Sequence, residues 1–536
     1  TFVRGGHPMS ANAQVAEKHP KGLYVIFLTE MWERFGFYTL NAMLVLYMKN
    51  NVQGFGWSAA EAASINANYL FFVYLSPLIG GFIADKLLGF RKSVTIGAIF
   101  FMLGYGLLAV PNNVPMFFLA LVCIVTGNGF FKPNISSMVG NLYKEGSHLK
   151  DKAYLIFYMG INVGALLAPI IAEFVRKYYG FNPGFAVASF GMVICLIVFW
   201  GGRKHIEHAD VKFSRPGPVA NGAAGNVTED LPPNHAAPLS AVESVPEWKR
   251  VAALIVVFLV VIVFWMVFHQ NSSTLTFWAD ENTEWNVSGI LSNAINPLWI
   301  IILAPVLAWF WGVLDRRGLE PSTPAKIAIG MFLTAASFFF LFFAAQAGGF
   351  TKTAAKVAAV ENGVPHVDLS PETREALGIY WEGADIELTI HDPTGQTKTL
   401  QRELWPAEPL PGESIETGDL VRLESVTGST ITIAEAHRVS PAWLIIGYFI
   451  LSLGELCLSP MGLSLVSKVA PPRMRGMMMG GWFVATAIGN KLTAIGVFWE
   501  IWSHAKFFLV LASMALGMAI LLLFILKPLK KAMPGV

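Results

Sequence analysis

The chain has 536 residues, of which 54% are apolar and only 14% are charged, and its formal net charge is +2. Soluble domains usually carry about 25% charged residues. Together with a mean hydropathy of +0.53, this composition excludes an ordinary soluble protein and indicates an integral membrane protein.

Apolar runs long enough for a tilted span of roughly 20 residues recur along the whole chain. In chain order they lie near residues 22–49, 58–86, 91–110, 114–141, 153–175, 183–201, 249–278, 289–313, 326–347, 441–466, 476–500 and 506–527. The sequence therefore predicts an all-α membrane protein with 12 transmembrane helices.

The distribution of Lys and Arg predicts the orientation of these spans. The loops on one side carry 24 of these residues, whereas the short loops on the other side carry 4. Because Lys and Arg concentrate in cytoplasmic loops, both termini are expected in the cytoplasm. The polar stretch before a full-length first span is not typical of a cleavable signal peptide.

The spans divide the chain into parts of different character. We predict a cytoplasmic N-terminal segment at 1–21, an N-terminal six-helix bundle at 22–201, a cytoplasmic linker at 202–248, a C-terminal six-helix bundle at 249–350 and 441–527, an insert at 351–440 and a cytoplasmic tail at 528–536. The linker is rich in Pro, Gly and Ala, which is typical of a connection without its own core.

The insert between helices 9 and 10 has the pattern of strands. Polar and apolar residues alternate at 386–390, 419–423 and 429–433, and turn residues separate these runs. This alternation predicts a small β-rich domain. By the orientation above, the insert lies on the extracytoplasmic side.

Two similar turns indicate that the halves repeat each other. The chain reads GGFIADKLLGFRK at 80–92 and WGVLDRRGLEPS at 311–322, and each turn places an Asp, basic residues and a Gly on the cytoplasmic side. The first turn resembles the loop motif of the major facilitator superfamily. A parallel repeat of six helices is typical of transporters whose substrate site lies near the midplane, so the major facilitator fold is expected.

The first span carries charges that need an explanation. Six residues share one helical stripe: Glu30, Glu33, Arg34, Phe37, Tyr38 and Asn41. Three charges facing lipid would cost about 8–10 kcal/mol, so the stripe is expected to line a polar cavity. The alternative is a structural ion pair between Glu30 and Arg34 that only fixes helix packing.

Other polar residues within the spans predict a dipolar binding site. Ionisable residues occur at Lys132, His269, Glu455 and Lys491. Cations from the first half and an acid from the second suit a ligand with a carboxylate at one end and an ammonium at the other. Amides at Asn162 and Asn296 and aromatic walls at Tyr38, Tyr74 and Trp482 would suit a peptide, although amino acids would also satisfy this pattern. Lys491 stays unassigned.

Five motifs resemble the proton-dependent oligopeptide transporter (POT) family of the major facilitator superfamily. They are ExxERF at 30–35 followed by Tyr38, FKPNISSMVGNLY at 131–143, FYMGINVGAL at 157–166, LGELCLSPMGLS at 453–464, and the Phe264–Trp265 pair followed by Gln270. The resemblance covers the membrane region but not 351–440. Most bacterial members carry two extra helices between the halves, and the polar linker of this chain lacks room for them.

The resemblance implies a proton-coupled symporter that imports di- and tripeptides by alternating access. It places Arg34 and Lys132 at the peptide carboxylate and Glu455 at the amino terminus. The remaining peptide contacts would come from Asn162, Asn296, Tyr38, Tyr74, Trp482 and Thr486, and proton coupling from Glu30, Glu33 and Arg34. No cofactor other than the coupling proton, no metal and no nucleic-acid partner is expected. A monomer in a bacterial inner membrane is expected, although the sequence itself does not disclose the oligomeric state.

Three departures from the family pattern stand out. Phe37 replaces a frequent Tyr, Asn41 replaces a frequent Arg, and His269 replaces the helix-seven acid. Imidazole has a reference pKa near 6.5, so we hypothesise that His269 is a pH-responsive partner of Glu30 and Glu33. The alternative is a neutral, hydrogen-bonded core histidine.

Other functions remain open from the sequence. A proton-coupled carrier of nitrate or another small anion would suit His269, whereas Glu455 disfavours it. A membrane peptide sensor with a signalling outer domain is the alternative of another class. An enzyme is not expected, because no compact metal-ligand cluster or nucleophile arrangement is evident.

Overall fold

The computed structural model describes residues 19–143, 149–210, 245–285, 288–350, 437–471 and 474–533, together with six strands between 354 and 435. Most of the predicted N-terminal segment, residues 211–244 of the linker and the connections within the insert lie outside the described residues.

The first half of the chain is helical from Lys21 onward. Its helices are α1 (Lys21–Lys49), α2 (Ala59–Ile83), α3 (Phe90–Leu108), α4 (Val114–Asn141), α5 (Leu149–Tyr179) and α6 (Phe181–Gly201). Local sequence explains the ends. Ser58 and Glu61 form a reciprocal capping box at the start of α2. Gly180, with φ +96°, is the one residue between α5 and α6, a conformation that glycine adopts without steric cost.

The second half has a similar set of long helices. These are α7 (Glu247–Phe268), α8 (Ile295–Arg316), α9 (Thr323–Ala347), α10 (Pro441–Val469), α11 (Arg475–Leu492) and α12 (His504–Ala532). After α7 the chain passes through a 3₁₀ turn, His269–Ser272, into a short helix, Thr274–Glu281. Helix α12 continues into the segment predicted as the C-terminal tail.

Within the described ranges, nine helices are long and apolar enough to cross a membrane. They include α2, α4–α6, α8–α10 and α12, and α7 counts together with the short helix that follows it. Helices α1, α3 and α11 are not among the nine; α1 carries Glu30, Glu33 and Arg34. The protein is a multi-pass membrane protein, and the count of twelve spans stays a prediction.

The two halves pack their helices in the same pattern. Helix α1 packs on α5 and α6, α4 packs on α2 and α3, and α3 packs on α6. In the second half α7 packs on α11 and α12, α10 packs on α8 and α9, and α9 packs on α12. The contacts between the halves are also equivalent: α2 packs on α11, and the counterparts of these helices in the other half, α8 and α5, pack on each other. This is the arrangement expected of a parallel repeat.

Each half contains a close contact between two glycines, and the two contacts lie on equivalent helices. A Cβ on Gly97 of α3 would lie 2.7 Å from the carbonyl oxygen of Gly127 in α4. A Cβ on Gly330 of α9 would lie 2.8 Å from the carbonyl oxygen of Gly454 in α10. Small residues allow membrane helices to approach this closely, so the repeat extends to the backbone contacts.

Six strands form one sheet in the chain between α9 and α10. They are β1 (Ala354–Glu361), β2 (Val364–Asp368), β3 (Ile386–His391), β4 (Thr397–Arg402), β5 (Leu420–Thr427) and β6 (Thr430–Glu435). The order is β2-β1-β5-β6-β3-β4, and β3 pairs with β6 in parallel while the other neighbours are antiparallel. Each of the three alternating runs seen in the sequence lies in or overlaps one of β3, β5 and β6.

The glycine contacts predict a local cost of adding one methyl group. Gly330→Ala should destabilise the folded protein by about 1–3 kcal/mol, because overpacking forces backbone shifts. Gly312→Ala in α8 is the matched control, since a Cβ added at Gly312 would have no atom of the described residues within 4 Å. Thermal melting of the purified protein in detergent compares the two, and equal melting temperatures would show that the close approach is not required.

Candidate functional site

A buried ion cluster on α1 is centred on Arg34. The Arg34 Nε atom lies 3.1 Å from Glu30 Oε1 and also pairs with the carboxylate of Glu33. The three residues are 3%, 1% and 0% exposed, respectively. All three charges on the predicted stripe therefore point into the protein rather than to lipid. One guanidinium facing two carboxylates leaves a net negative charge when both acids are ionised.

Glycines on α5 make room for this cluster. A Cβ on Gly164 would lie 2.3 Å from the carbonyl oxygen of Met31 and 3.1 Å from Cβ of Arg34. Gly160, one turn earlier, sits close to Phe27 of α1. The glycines of the 157–166 motif thus bring α5 against α1 at the charged residues.

Two of the three residues that depart from the family pattern lie on α1, and one of them contacts the same cluster. The guanidinium carbon of Arg34 lies 5.0 Å from the ring centroid of Phe37, which is within cation–π range. Phe37 in turn packs edge-to-face against Tyr38. Asn41 is 5% exposed, and its side-chain oxygen has no hydrogen-bond partner among the described residues.

The ring of Tyr74 on α2 brings α4 and the end of α7 together. The ammonium of Lys132 lies 4.5 Å from the centroid of this ring, and the imidazole of His269 lies 5.9 Å from it. His269 also stacks on Trp265 at 5.0 Å. Lys132 is within electrostatic range of His269 and of the Arg34 cluster. Four helices thus converge on one group of ionisable side chains.

The acid from the second half is held by an amide. The side chain of Asn296 on α8 donates to Glu455 Oε2 at 3.0 Å and to Ser452 Oγ at 2.9 Å on α10. Glu455 is within electrostatic range of Tyr38 and Tyr158 from the first half. This acid therefore faces the same inter-half region as the cations, from the opposite side.

The sequence did not indicate Tyr158, although it lies within the FYMGINVGAL motif. Its carbonyl oxygen accepts a hydrogen bond from the side chain of Asn162 at 2.9 Å. Asn162 follows Tyr158 by four residues, which is about one helical turn. Asn162 itself is 8% exposed. The motif match could have pointed to Tyr158, because Tyr158 and Asn162 share one face of α5.

Two residues predicted to contact the substrate are packed into the second half. Trp482 is 3% exposed, and a Cβ on Gly462 of α10 would lie 1.8 Å from its ring. The ring also packs on Phe258 of α7. The hydroxyl of Thr486 donates to the carbonyl oxygen of Trp482 at 3.0 Å. In this conformation both residues contribute to the packing of α11.

Lys491 bonds across the two halves. Its ammonium donates to the side-chain oxygen of Asn68 on α2, where α2 and α11 pack together. The side chain is otherwise exposed. A contact between the halves is therefore the role that the geometry gives to this lysine.

At one end of the molecule, ion pairs join the two halves. We call this part, which contains Lys49, Glu281 and Glu500, the Lys49 end. Lys49, the last residue of α1, lies 2.7 Å from Glu281 Oε1 and 3.7 Å from Glu500 Oε1. A second contact at the same end joins Ser288, which donates to Glu173 Oε2 of α5 at 2.5 Å. These bonds hold α1 and α5 to the second half.

No metal centre is evident in the part of the chain that the structure describes, because it contains no group of three or more His, Cys, Asp or Glu residues placed to hold a metal ion.

A family model described as PTR2, the POT family, matches residues 91–221, 227–370 and 421–498. The chain belongs to the POT family. A di-/tripeptide transporter from Lactococcus lactis subsp. cremoris is 27% identical and covers 96% of this chain and 97% of its own length. The peptide transporter YePEPT from Yersinia enterocolitica is 29% identical, over 88% and 86% of the two chains.

Solved structures agree with the family assignment. A crystal structure of a mutant peptide transporter POT in complex with alafosfalin is 28% identical, covers 96% of each chain and has a TM-score of 0.70. The POT-family protein therefore has a membrane fold of the major facilitator type. The family and these relatives are transporters, not enzymes.

The Arg34 cluster predicts a specific pattern of stability. Arg34→Met should destabilise the protein by about 3–5 kcal/mol, because it leaves two buried acids without their cation. Adding Glu30→Gln and Glu33→Gln should restore most of this loss, since the unpaired charges are then removed. Melting curves in detergent test both steps, and a triple variant as unstable as Arg34→Met would contradict the ion-pair account.

Proposed function

We propose that this POT-family protein is a proton-coupled symporter that imports di- and tripeptides by alternating access. The proposal includes 12 spans in two six-helix bundles, cytoplasmic termini, an extracytoplasmic β-rich insert and a bacterial inner-membrane location. The observation that carries it is the opposition of Arg34 and Lys132 from the first half to Glu455 from the second. A relative described as a di-/tripeptide transporter and another described as a peptide transporter, matched over 96% and 88% of this chain, support the substrate class.

The charges suit the two ends of a zwitterionic peptide. The carboxylate would take charge-assisted hydrogen bonds from Arg34 and Lys132. The ammonium would replace Asn296 as the partner of Glu455, and the freed amide would turn to the peptide backbone together with Asn162. Charge-assisted bonds in a shielded site are about twice as strong as neutral ones, so the termini would fix the register of the peptide.

The side chains of the peptide would lie against aromatic walls. Tyr38 and Tyr74 are already half-buried between the charged ends. Trp482 and Thr486 would reach the peptide when α11 shifts against α7 and α10 during the transport cycle. Aromatic faces bind varied apolar side chains, which fits a transporter of many different peptides.

Coupling would arise from competition for Arg34. With both acids ionised, Arg34 is held by Glu30 and Glu33. Protons on the acids weaken that hold and release the guanidinium to the peptide carboxylate, with His269 as a further proton-binding partner. One proton entering with a neutral zwitterion gains about 2.3 kcal/mol per 100 mV, enough for roughly fifty-fold accumulation.

Alternating access would require the Lys49 end to open. In the proposed orientation this end faces the outside, and the contacts between the halves there would close the site to the exterior. The ion pairs of Lys49 with Glu281 and Glu500 are partly exposed, with side-chain exposures between 22% and 34%. Such pairs are each worth about 1 kcal/mol or less, so they can break in each cycle.

Flux in proteoliposomes tests the proposed function. An inward proton gradient should drive accumulation of labelled Ala-Ala and Ala-Ala-Ala. Glu33→Gln should abolish this accumulation but keep exchange of labelled for unlabelled peptide, because the variant can still bind peptide but cannot cycle the proton. Loss of both activities in a folded variant would count against the coupling role of Glu33.

A small anion is the second candidate substrate, and the proximity of Lys132 to His269 favours it. An ammonium and an imidazole near one ring could both donate hydrogen bonds to nitrate, whereas the carboxylate of Glu455 would repel it. The same vesicles separate the two functions. Nitrate uptake without peptide uptake would overturn the peptide assignment.

Opening of the Lys49 end can be measured by distances between spin labels. In a background with the three native cysteines replaced by serine, labels at the exposed positions Val52 and Glu284 report the separation of the halves. Lys49→Gln should increase the population of long distances, because the ion pairs to Glu281 and Glu500 are lost.

Lys506→Gln is the matched control for this measurement. Lys506 lies over Trp502 of its own half at 4.9 Å, so its replacement should leave the distance distribution unchanged. Identical distributions for Lys49→Gln and the unmodified protein would show that these ion pairs do not hold the end closed.

A further inference from the structure

The group of side chains around Tyr74 has more capacity for anions than one peptide carboxylate uses. We call Lys132, Tyr74, His269 and Trp265 the Tyr74 cluster. Lys132 and His269 both contact the ring of Tyr74, at 4.5 Å and 5.9 Å from its centroid. Trp265 stacks on the imidazole and fixes its plane at 22° to the indole. The cluster is therefore a preformed wall with three nitrogen-bearing groups, the Lys132 ammonium, the His269 imidazole and the Trp265 indole, whose Nε1 has no hydrogen-bond partner among the described residues.

The other two nitrogen groups of the cluster, the His269 imidazole and the Lys132 ammonium, also lack hydrogen-bond partners among the described residues. His269 is 9% exposed, and its Nε2 atom is buried without a hydrogen-bond partner in the described part of the chain. In the same residues no carboxylate oxygen lies within 4 Å of the Lys132 ammonium. A buried polar group that is left without a hydrogen-bond partner destabilises the folded protein. In the tautomer with the proton on Nε2, a ligand with an acceptor at this position would recover that loss.

Charge balance in the proton-loaded state points to the same ligand. When Glu30 and Glu33 carry protons, Arg34 and Lys132 are two cations without a carboxylate partner. The terminal carboxylate of a peptide balances one of them. A peptide with a neutral side chain leaves the other uncompensated, whereas a second carboxylate balances both.

We propose that Lys132 and His269 on the ring of Tyr74 form a subsite for a second carboxylate, the acidic side chain of a C-terminal Asp or Glu residue. This inference rests on the proposed peptide transport. The side chain branches from the same carbon as the terminal carboxylate bound by Arg34, so it reaches the neighbouring cluster. Lys132 has three donors and contacts both carboxylates, so its positive charge favours an acid over the amide. An N–H of His269 would add a hydrogen bond, which is stronger to a carboxylate than to an amide oxygen.

Competition between matched peptides tests the subsite. Binding of labelled Ala-Ala to the purified protein is competed with Ala-Glu, Ala-Gln, Glu-Ala and Gln-Ala. Ala-Glu should bind about tenfold more tightly than Ala-Gln, a difference of about 1.4 kcal/mol. Glu-Ala should have no comparable advantage over Gln-Ala, because its acidic side chain lies at the Glu455 end.

Variants of His269 test whether this residue contributes to the preference for Ala-Glu over Ala-Gln. His269→Gln should lower the Ala-Glu to Ala-Gln preference from about tenfold to a few-fold, because Lys132 alone then holds the second carboxylate. His269→Glu should reverse the preference through repulsion. His504→Gln is the matched control, since His504 is also buried and stacked on a tryptophan, Trp499 at 4.0 Å. It should retain the preference of the unmodified protein.

The possible outcomes distinguish failure of the proposed subsite from failure of the proposed peptide transport. If Ala-Gln competes as well as Ala-Glu, or if His269→Gln keeps the full preference, the subsite is wrong while peptide binding stands. If no peptide competes, the proposed function fails and the subsite fails with it. If the His269 variants do not fold, the comparison of the four peptides on the unmodified protein decides.

Discussion

The position of Arg34 between Glu30 and Glu33 is the interaction on which the rest of the site depends. A buried guanidinium is tolerated only with anionic partners, and here two carboxylates from its own helix supply them. Because the acids can take up protons, their hold on Arg34 can change. Lys132 extends the positive region toward α7. A charge that would be costly in lipid thus becomes an adjustable part of a polar interior.

The helix packing is symmetric, but the chemistry placed on it is not. The same pattern of contacts builds both halves, and the glycine pairs between α3 and α4 and between α9 and α10 show that the repeat reaches the backbone. On these equivalent helices, α4 carries Lys132 and α10 carries Glu455. When Glu30 and Glu33 carry protons, this repeated scaffold has opposite charges on its two halves, an arrangement that suits a zwitterion oriented across the repeat.

Local patterns were sufficient for much of the fold and for part of the site. Apolar runs indicated the helices, and the helical spacing of Glu30 and Arg34 indicated that they meet. The contact of Lys132 and His269 with one ring could not be predicted, because these residues are far apart in the chain and meet only through packing. For the same reason the burial of Trp482 against Gly462 was not foreseen. The parallel pairing of β3 with β6 joins distant segments, whereas the alternation within each strand is local.

The central claim is that the acids and the peptide carboxylate compete for Arg34. The most direct test is the affinity for Ala-Ala as a function of pH, compared between the unmodified protein and the Glu30→Gln, Glu33→Gln double variant. The account predicts that affinity of the unmodified protein increases as the pH falls and the acids take up protons. The double variant should bind tightly with little dependence on pH. The same pH dependence in both proteins would contradict the account.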